Sequence, residues 1–195
     1  MCADEKPSIQ ARRRKHATLP AAPGGGQRVE HEYERKGALC YLAAWDVRRA
    51  KIFDRCESKD GIAPFGRLVE QFMTVEPYAC AQRVFLVVDN GSAHRGQRSI
   101  DRLRGAWPNL TVVHTPVHAS WLNQAEIYFS IVQRKALQPN DFADLDALEG
   151  HVPAFSRRHE QIAEPFAWKF TRRDLERQLS RLDEHTADAL AIKAA

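Results

Sequence analysis

The apolar residues of this chain fall into short unbroken runs and spaced stripes, and the two patterns predict different elements. Val84-Phe85-Leu86-Val87-Val88 is five apolar positions without alternation, the signature of a strand covered on both faces. Residues 38–45 are almost as apolar and predict a second buried strand. Asp46-Val47-Arg48-Arg49 reads as a turn into a partner strand over 50–56. Over 61–78 the spacing places Phe65, Leu68, Val69, Phe72 and Met73 on one side of a helix. After the strand ending at Asp89, a helix is predicted over 95–106. Trp107-Pro108-Asn109 breaks it, and a short strand over 110–115 is stopped by Pro116. Ser120 is the expected N-cap of a helix reaching about residue 137. Further helices are expected over 144–163 and 172–185, the last bearing Leu175, Leu179 and Leu182. Residues 1–10 read as a short extended segment, and 18–27, rich in Pro and Gly, as a mobile connector. This order predicts an α/β fold: a mixed sheet with helices on both faces, not a regular Rossmann alternation.

Composition narrows the class. With 195 residues, 44% hydrophobic and 28% charged, the chain is long enough for one domain with a substantial core. No apolar stretch approaches the roughly 20 residues that span a bilayer, and the first residues carry no signal pattern. The expectation is a cytoplasmic protein with no membrane partner. Cys2, Cys40, Cys56 and Cys80 form no CxxC pair or metal-ligand spacing, and are expected to be reduced thiols. GxGxxG and GxxxxGK[ST] loops are both missing, which argues against nucleotide cradling. The net charge of +4 arises wholly within residues 1–60, notably at Arg12-Arg13-Arg14-Lys15. That run suits contact with a polyanion; the alternative is a solvated basic loop.

The chemistry resides in acids at positions where acids are costly. Asp89 follows an apolar strand directly, where open α/β sheets bind ligands. Glu126 lies among Leu122, Ala125, Phe129 and Val132, at the edge of a stripe expected to pack inward. Asp4 is a third candidate. The alternatives are an Asp89 that caps its own turn with Gly91 and Ser92, and a Glu126 paired to Arg134 or reaching water. Several carboxylates in one pocket cannot all ionise cheaply without a cation. A hard divalent ion resolves that conflict, and a pair of ions can clamp both oxygens of an in-line phosphoryl displacement. Zinc is disfavoured, because no Cys or His ligand spacing is present. His94 and His118 flank the acids, either as phosphate or supporting contacts or as ordinary hydrogen-bonded histidines.

Asp89-Asn90-x-x-x-His94, with Thr115-Pro116-x-His118-Ala119-Ser120-Trp121-Leu122-Asn123-Gln124-x-Glu126, closely resembles the insertion-sequence branch of the mariner-like DDE transposases. Asp4-Glu5-Lys6-Pro7-x-Ile9-Gln10-Ala11 is similar to that family's first-aspartate segment. His31-x-Tyr33-x-Arg35-x-Gly37 and Leu42-x-Ala44-x-Asp46-Val47 also fit its pattern. The resemblance reaches to about residue 175.

What it implies is an RNase H-like fold over residues 1–185, with 186–195 as a tail. Asp4, Asp89 and Glu126 would be catalytic and would hold two Mg²⁺ or Mn²⁺. The implied reaction is hydrolysis of double-stranded DNA at transposon ends, then attack of the freed 3′-hydroxyl on target DNA, with no covalent protein intermediate. Asn90, His94, His118, Trp121 and Asn123, together with Arg12, Arg13 and Arg14, are the expected substrate-side residues, with His118, Trp121 and Asn123 either shaping the site or contacting DNA and packing the favoured role for Trp121. Implied partners are the two DNAs and a second copy or a full-length transposase, in the cytoplasm at the nucleoid. Nothing here corresponds to the family's amino-terminal helix-turn-helix modules, and only three residues precede Asp4. The first strand is therefore expected to be cut short and frayed. The alternative expectation is an inactive remnant that contacts DNA or a full-length transposase without cutting. A two-carboxylate glycosidase fits the acids but neither the basic front segment nor the matched motif.

Overall fold

A computed structural model describes residues 1–91 and 93–181. It divides into two units, 1–165 and 166–195, and the first contains the sheet. Ser92, residues 182–185 of the last expected helix and the 186–195 tail lie outside the described residues.

The sheet has five strands: β1 Cys2–Arg14, β2 Tyr33–Trp45, β3 Ile52–Glu57, β4 Val84–Val88 and β5 Leu110–His114. Their spatial order is β3-β2-β1-β4-β5. The first three form an antiparallel meander, and β1, β4 and β5 run parallel. Between β3 and β4 comes α1 (Ile62–Met73), and between β4 and β5 comes α2 (Gln97–Ala106). After β5 follow a 3₁₀ turn at Ser120–Leu122, α3 (Ala125–Lys135) and α4 (Leu145–Glu160). This is the mixed α/β sheet that the pattern predicted.

Strand alternation distributes the core over two layers. Ala3 of β1 and Cys40, Leu42 and Ala44 of β2 face Phe65, Leu68, Val69 and Phe72 of α1, and Leu86 and Val88 of β4 join the same cluster. Tyr41 and Trp45 point the other way, with ring contacts to Tyr128 of α3. There Tyr41 Oη donates to Asp54 Oδ2 (2.7 Å) and lies 3.0 Å from both Tyr128 Oη and Ser156 Oγ. That network joins β2, β3, α3 and α4.

Four expectations change. β1 runs for 13 residues: it continues to Arg14 because Arg12, Arg13 and Arg14 pair with Arg35, Glu34 and Tyr33. At its start, the Met1 amino group donates to Phe85 O (2.8 Å) and Met1 O accepts from Val87 N–H (2.9 Å). The basic run is thus strand, not loop. The connector over 18–27 contains two backbone bridges, Leu19 to Arg28 and Ala22 to Gly25, so it is a tight β-turn loop. β4 is covered on one face only: Phe85 is 53% exposed, because α3 and α4 pack over β1, β2 and β3. Finally, the helix expected from Ser120 to 137 is two elements. Asn123 is extended (ψ 109) and separates the 3₁₀ turn from α3, so Ser120 caps nothing in α3.

Candidate active site

Strand pairing and the side-chain amide of Asn123 bring the acids to one end of the sheet. β1 and β4 are parallel with Cys2 beside Val87, which sets Asp4 level with Asp89 two residues further along each strand. Asn123 Nδ2 donates to Ala3 O (2.8 Å), and its Oδ1 accepts from Ala125 N–H (3.2 Å). The start of α3 is thereby pinned beside Asp4, and Glu126 sits in the first turn of that helix. A carboxylate is electrostatically favoured there, near the helix's unpaired N–H groups. Asn123, fully buried with both polar ends engaged, is a clamp between elements. It has no path to DNA, so of the two roles expected for it only shaping the site remains.

The acids differ sharply in surroundings. Asp4 is only 6% exposed, and the one hydrogen bond its carboxylate receives, among the described residues, is from Glu5 N–H (2.8 Å). Burial, and then the negative charges of Asp89, Glu126 and Glu5, push its carboxyl up to about 7. Asp89 is half-buried. Its Oδ1 accepts from Gly91 N–H (2.7 Å) and lies 2.6 Å from His94 Nε2, so it does cap its own turn while remaining open to the cleft. Glu126 is exposed and, among the described residues, pairs with no cation. Arg134, the expected partner, instead donates Nε–H to Ser130 O (3.2 Å). The inward stripe of α3 is Ala125, Tyr128, Phe129 and Val132; with Leu122 outside the helix, Glu126 falls on the solvent side.

Around the acids the surface is grooved. Asp89, Asn90, Gly91, Thr115, His118 and Ser120 line one recess. Asn90 Nδ2 donates to Thr115 O (3.0 Å), joining the loops that follow β4 and β5. His118 is exposed and left-handed (φ 63), a conformation uncommon outside glycine. Trp121 and Glu126 share a second recess. A third, of about 520 Å³, runs from Glu126 past Phe129 and Arg134 to Lys6. Lys6 and Gln133 also line a further groove bounded by Arg12 and Arg14. Those two arginines are committed elsewhere: both stack on Tyr33, and Arg14 donates to Asn140 O and Glu30 O. Arg13 is exposed on the opposite side of the strand. Lys6 went unnoticed as a candidate because one lysine in a strand carries no signal until its neighbours are known.

The donor set suits a divalent ion by its chemistry. Three carboxylates on separate elements, one of them desolvated and short of donors, match a hard cation's preference for oxygen. The side chains are not, however, drawn into a ready-made cluster. Among the described residues no three His, Cys, Asp or Glu side chains stand close enough together to hold a metal ion. Asp4 Oδ1 is turned to its own neighbour's N–H and Asp89 Oδ1 to Gly91 and His94. The set fits a hard cation in donor type and charge.

Comparison with known proteins decides the family, because the model of the DDE superfamily endonucleases matches residues 1–149. The chain belongs to that family. This DDE endonuclease domain is also similar to solved structures of the Mos1 mariner transposase. Against the Mos1 mariner paired-end complex with Mn, the TM-score is 0.57 at 15% identity, over 80% of this chain and 47% of that one. Against a pre-cleavage Mos1 transpososome it is 0.54 at 16% identity, over 80% and 47%. The Mos1 paired-end complex with the left transposon end gives 0.54 at 15% identity, over 80% and 46%. At such identities the likeness is one of fold, the RNase H-like mixed sheet. The chain spans about half the length of those it matches. No curated protein sequence matches it. Among the described residues no helix of this DDE endonuclease is long and apolar enough to cross a membrane, and all four cysteines are free thiols.

Proposed function

We propose that this chain is the catalytic domain of an insertion-sequence transposase, cutting double-stranded DNA at transposon ends and joining the freed 3′ ends to target DNA. The observation that carries the reading is Asp4: a buried carboxyl, level with Asp89 and beside the start of α3, pushed up to about 7 by burial and by the other acids. Such a group gains most from a cation placed among the three.

Asp4, Asp89 and Glu126 would hold two Mg²⁺ or Mn²⁺. When bound, the ions supply Lewis-acid activation of the attacking oxygen and stabilisation of the leaving 3′-oxygen. The chain's own residues supply position and charge. Asn123 fixes α3 against β1, so that Glu126 projects at the cleft's rim. Lys6 and Arg134, on either side of the groove beside Glu126, offset phosphate charge. His118, Asn90 and Trp121 line the recesses on the Asp89 and Glu126 sides and are offered as DNA contacts. The expected partners are the transposon-end and target DNA, with a second copy or a full-length transposase to pair two ends. The expected location is the nucleoid.

Nicking of supercoiled plasmid by the purified chain, with Mg²⁺ or Mn²⁺ and with chelator, tests this. Wild type should nick only with metal, and Asp89→Asn and Glu126→Gln should fall to background while remaining folded. Equal nicking by wild type and Asp89→Asn overturns the assignment. Affinity should be weak, salt-sensitive and nearly sequence-blind, since counterion release supplies most of it. A second reading, a non-cutting remnant that contacts DNA or a full-length transposase, draws support from the unassembled donor cluster. DNA binding without metal-dependent nicking would favour it.

A further inference from the structure

Asp4 and Glu5 are consecutive on β1 and therefore point to opposite faces of the sheet. Asp4 faces the α3 side. Glu5 faces the α1 side, where His94 is fully buried with its ring centroid 4.9 Å from that of Phe65. His94 Nε2 lies 2.6 Å from Asp89 Oδ1, and His94 Nδ1 lies 3.7 Å from Glu5 Oε1. Those last two atoms, Glu5 Oε1 and His94 Nδ1, are both buried and lack a hydrogen-bond partner among the described residues. They stand 3.7 Å apart, longer than a hydrogen bond but within reach of an electrostatic pull on the ring. The backbone is arranged around the same line. A Cβ on Gly91 would come within 2.9 Å of Asp89 Oδ1 and 3.1 Å of His94 Nε2, so a side chain at 91 would crowd the close Asp89–His94 approach. His94 is further held from behind, its carbonyl lying 2.9 Å from His114 Nε2.

We infer that Glu5 is a positioning residue for Asp89, acting through His94. The carboxylate of Glu5 orients the imidazole from the Nδ1 side, so that Nε2–H is donated to Asp89 Oδ1. With Oδ1 held by His94 and by Gly91 N–H, Oδ2 is left toward the cleft for the cation. The inference rests on the metal-site reading above and adds to it a carboxylate on the far face of the sheet that never meets DNA. Partners of this kind behind a metal ligand typically alter affinity by about 10–100-fold when removed.

The test is Mn²⁺ binding by the full chain, read as loss of the free-ion EPR signal, together with the Mn²⁺ dependence of plasmid nicking. Glu5→Gln should weaken Mn²⁺ binding about ten-fold and raise the metal midpoint of nicking by the same factor, with the rate at saturating Mn²⁺ little changed. His94→Gln should weaken binding at least as much. In the His94→Gln background, Glu5→Gln should add almost nothing, because its route to Asp89 is already cut. Glu70→Gln, an exposed acid on α1, serves as the control for general loss of negative charge. If Glu5→Gln leaves Mn²⁺ binding unchanged, or weakens it equally with and without His94, the inference is overturned. Wild type that neither binds Mn²⁺ nor nicks overturns the parent reading instead, and the two failures are thereby distinguishable. Melting curves of each variant identify one that fails to fold, and Glu5→Asp, retaining the carboxylate, should then recover part of the affinity.

Discussion

Asp4 and Asp46 are equally buried, at 6% and 5% exposure, yet their carboxyl groups shift in opposite directions. Burial alone raises both. At Asp46 that effect is outweighed by Tyr78 Oη, which donates at 2.6 Å, by the N–H groups of Arg48 and Arg49, and by the nearby amino terminus, so its carboxyl is held below the usual range. Asp4 receives one N–H, and burial together with the negative charges of Asp89, Glu126 and the adjacent Glu5 pushes its carboxyl up to about 7. Asp46 is a structural carboxylate, supplied with donors that lock the β2–β3 turn to the helix-side Tyr78. Asp4 is short of donors, which is costly for folding, and under the proposed metal-site reading a bound cation would offset that cost. A buried carboxyl perturbed in that way is a candidate for function rather than for structure.

The largest effect should come from relieving Asp4. Its raised value means the folded chain holds a proton that the unfolded chain has lost. The penalty is therefore absent below about pH 4, grows as pH rises and is complete above about pH 7, where it is on the order of 4 kcal/mol. Asp4→Asn should thus stabilise the chain at pH 8 and change little at pH 4, by urea unfolding at both values. No gain at pH 8 would mean that Asp4 is not strained.

Asp46 should respond oppositely. Asp46→Ala strands Tyr78 Oη and two N–H groups and should destabilise by about 3 kcal/mol at pH 7. Because its carboxyl is lowered, that contribution is present above the unfolded value near 3.8 and is lost as pH falls through the folded one. A loss under about 1 kcal/mol would show that the turn does not depend on those bonds.

Metal should separate the two residues further. Mn²⁺ at 100 times its dissociation constant should raise the stability of wild type by about 2.7 kcal/mol. Asp46→Ala should retain that increment, and Asp4→Asn should lose most of it. Equal increments in both variants would place the ion elsewhere. The smallest effect is expected at Gly91→Ala, whose new methyl group crowds Asp89 and His94 and should cost about 1 kcal/mol. Calorimetry with and without Mn²⁺ measures both.

The parts that local pattern controls were legible. Apolar runs became β2 and β4, the stripe Phe65, Leu68, Val69, Phe72 and Met73 became the buried face of α1, and Asp89 emerged at the carboxyl end of its strand. Boundaries set by pairing were not. Arg12 to Arg14 carry no strand signal of their own and are extended because Tyr33–Arg35 lie alongside them. Spacing alone sets Glu126 at the edge of the inward stripe, because it counts Leu122 into the same helix. The break at Asn123 shifts the phase, and Tyr128 takes the inward place.

By itself, the sequence determined the family, the alternation of elements and the three acids, since those depend on residue identity and on spacing within one strand or helix. Tertiary structure alone decided which acid is starved of donors, which is open to water, and that Glu5 faces His94 across the far side of the sheet. Burial, hydrogen bonding and charge proximity are properties of neighbours distant in the chain, and no local pattern encodes them.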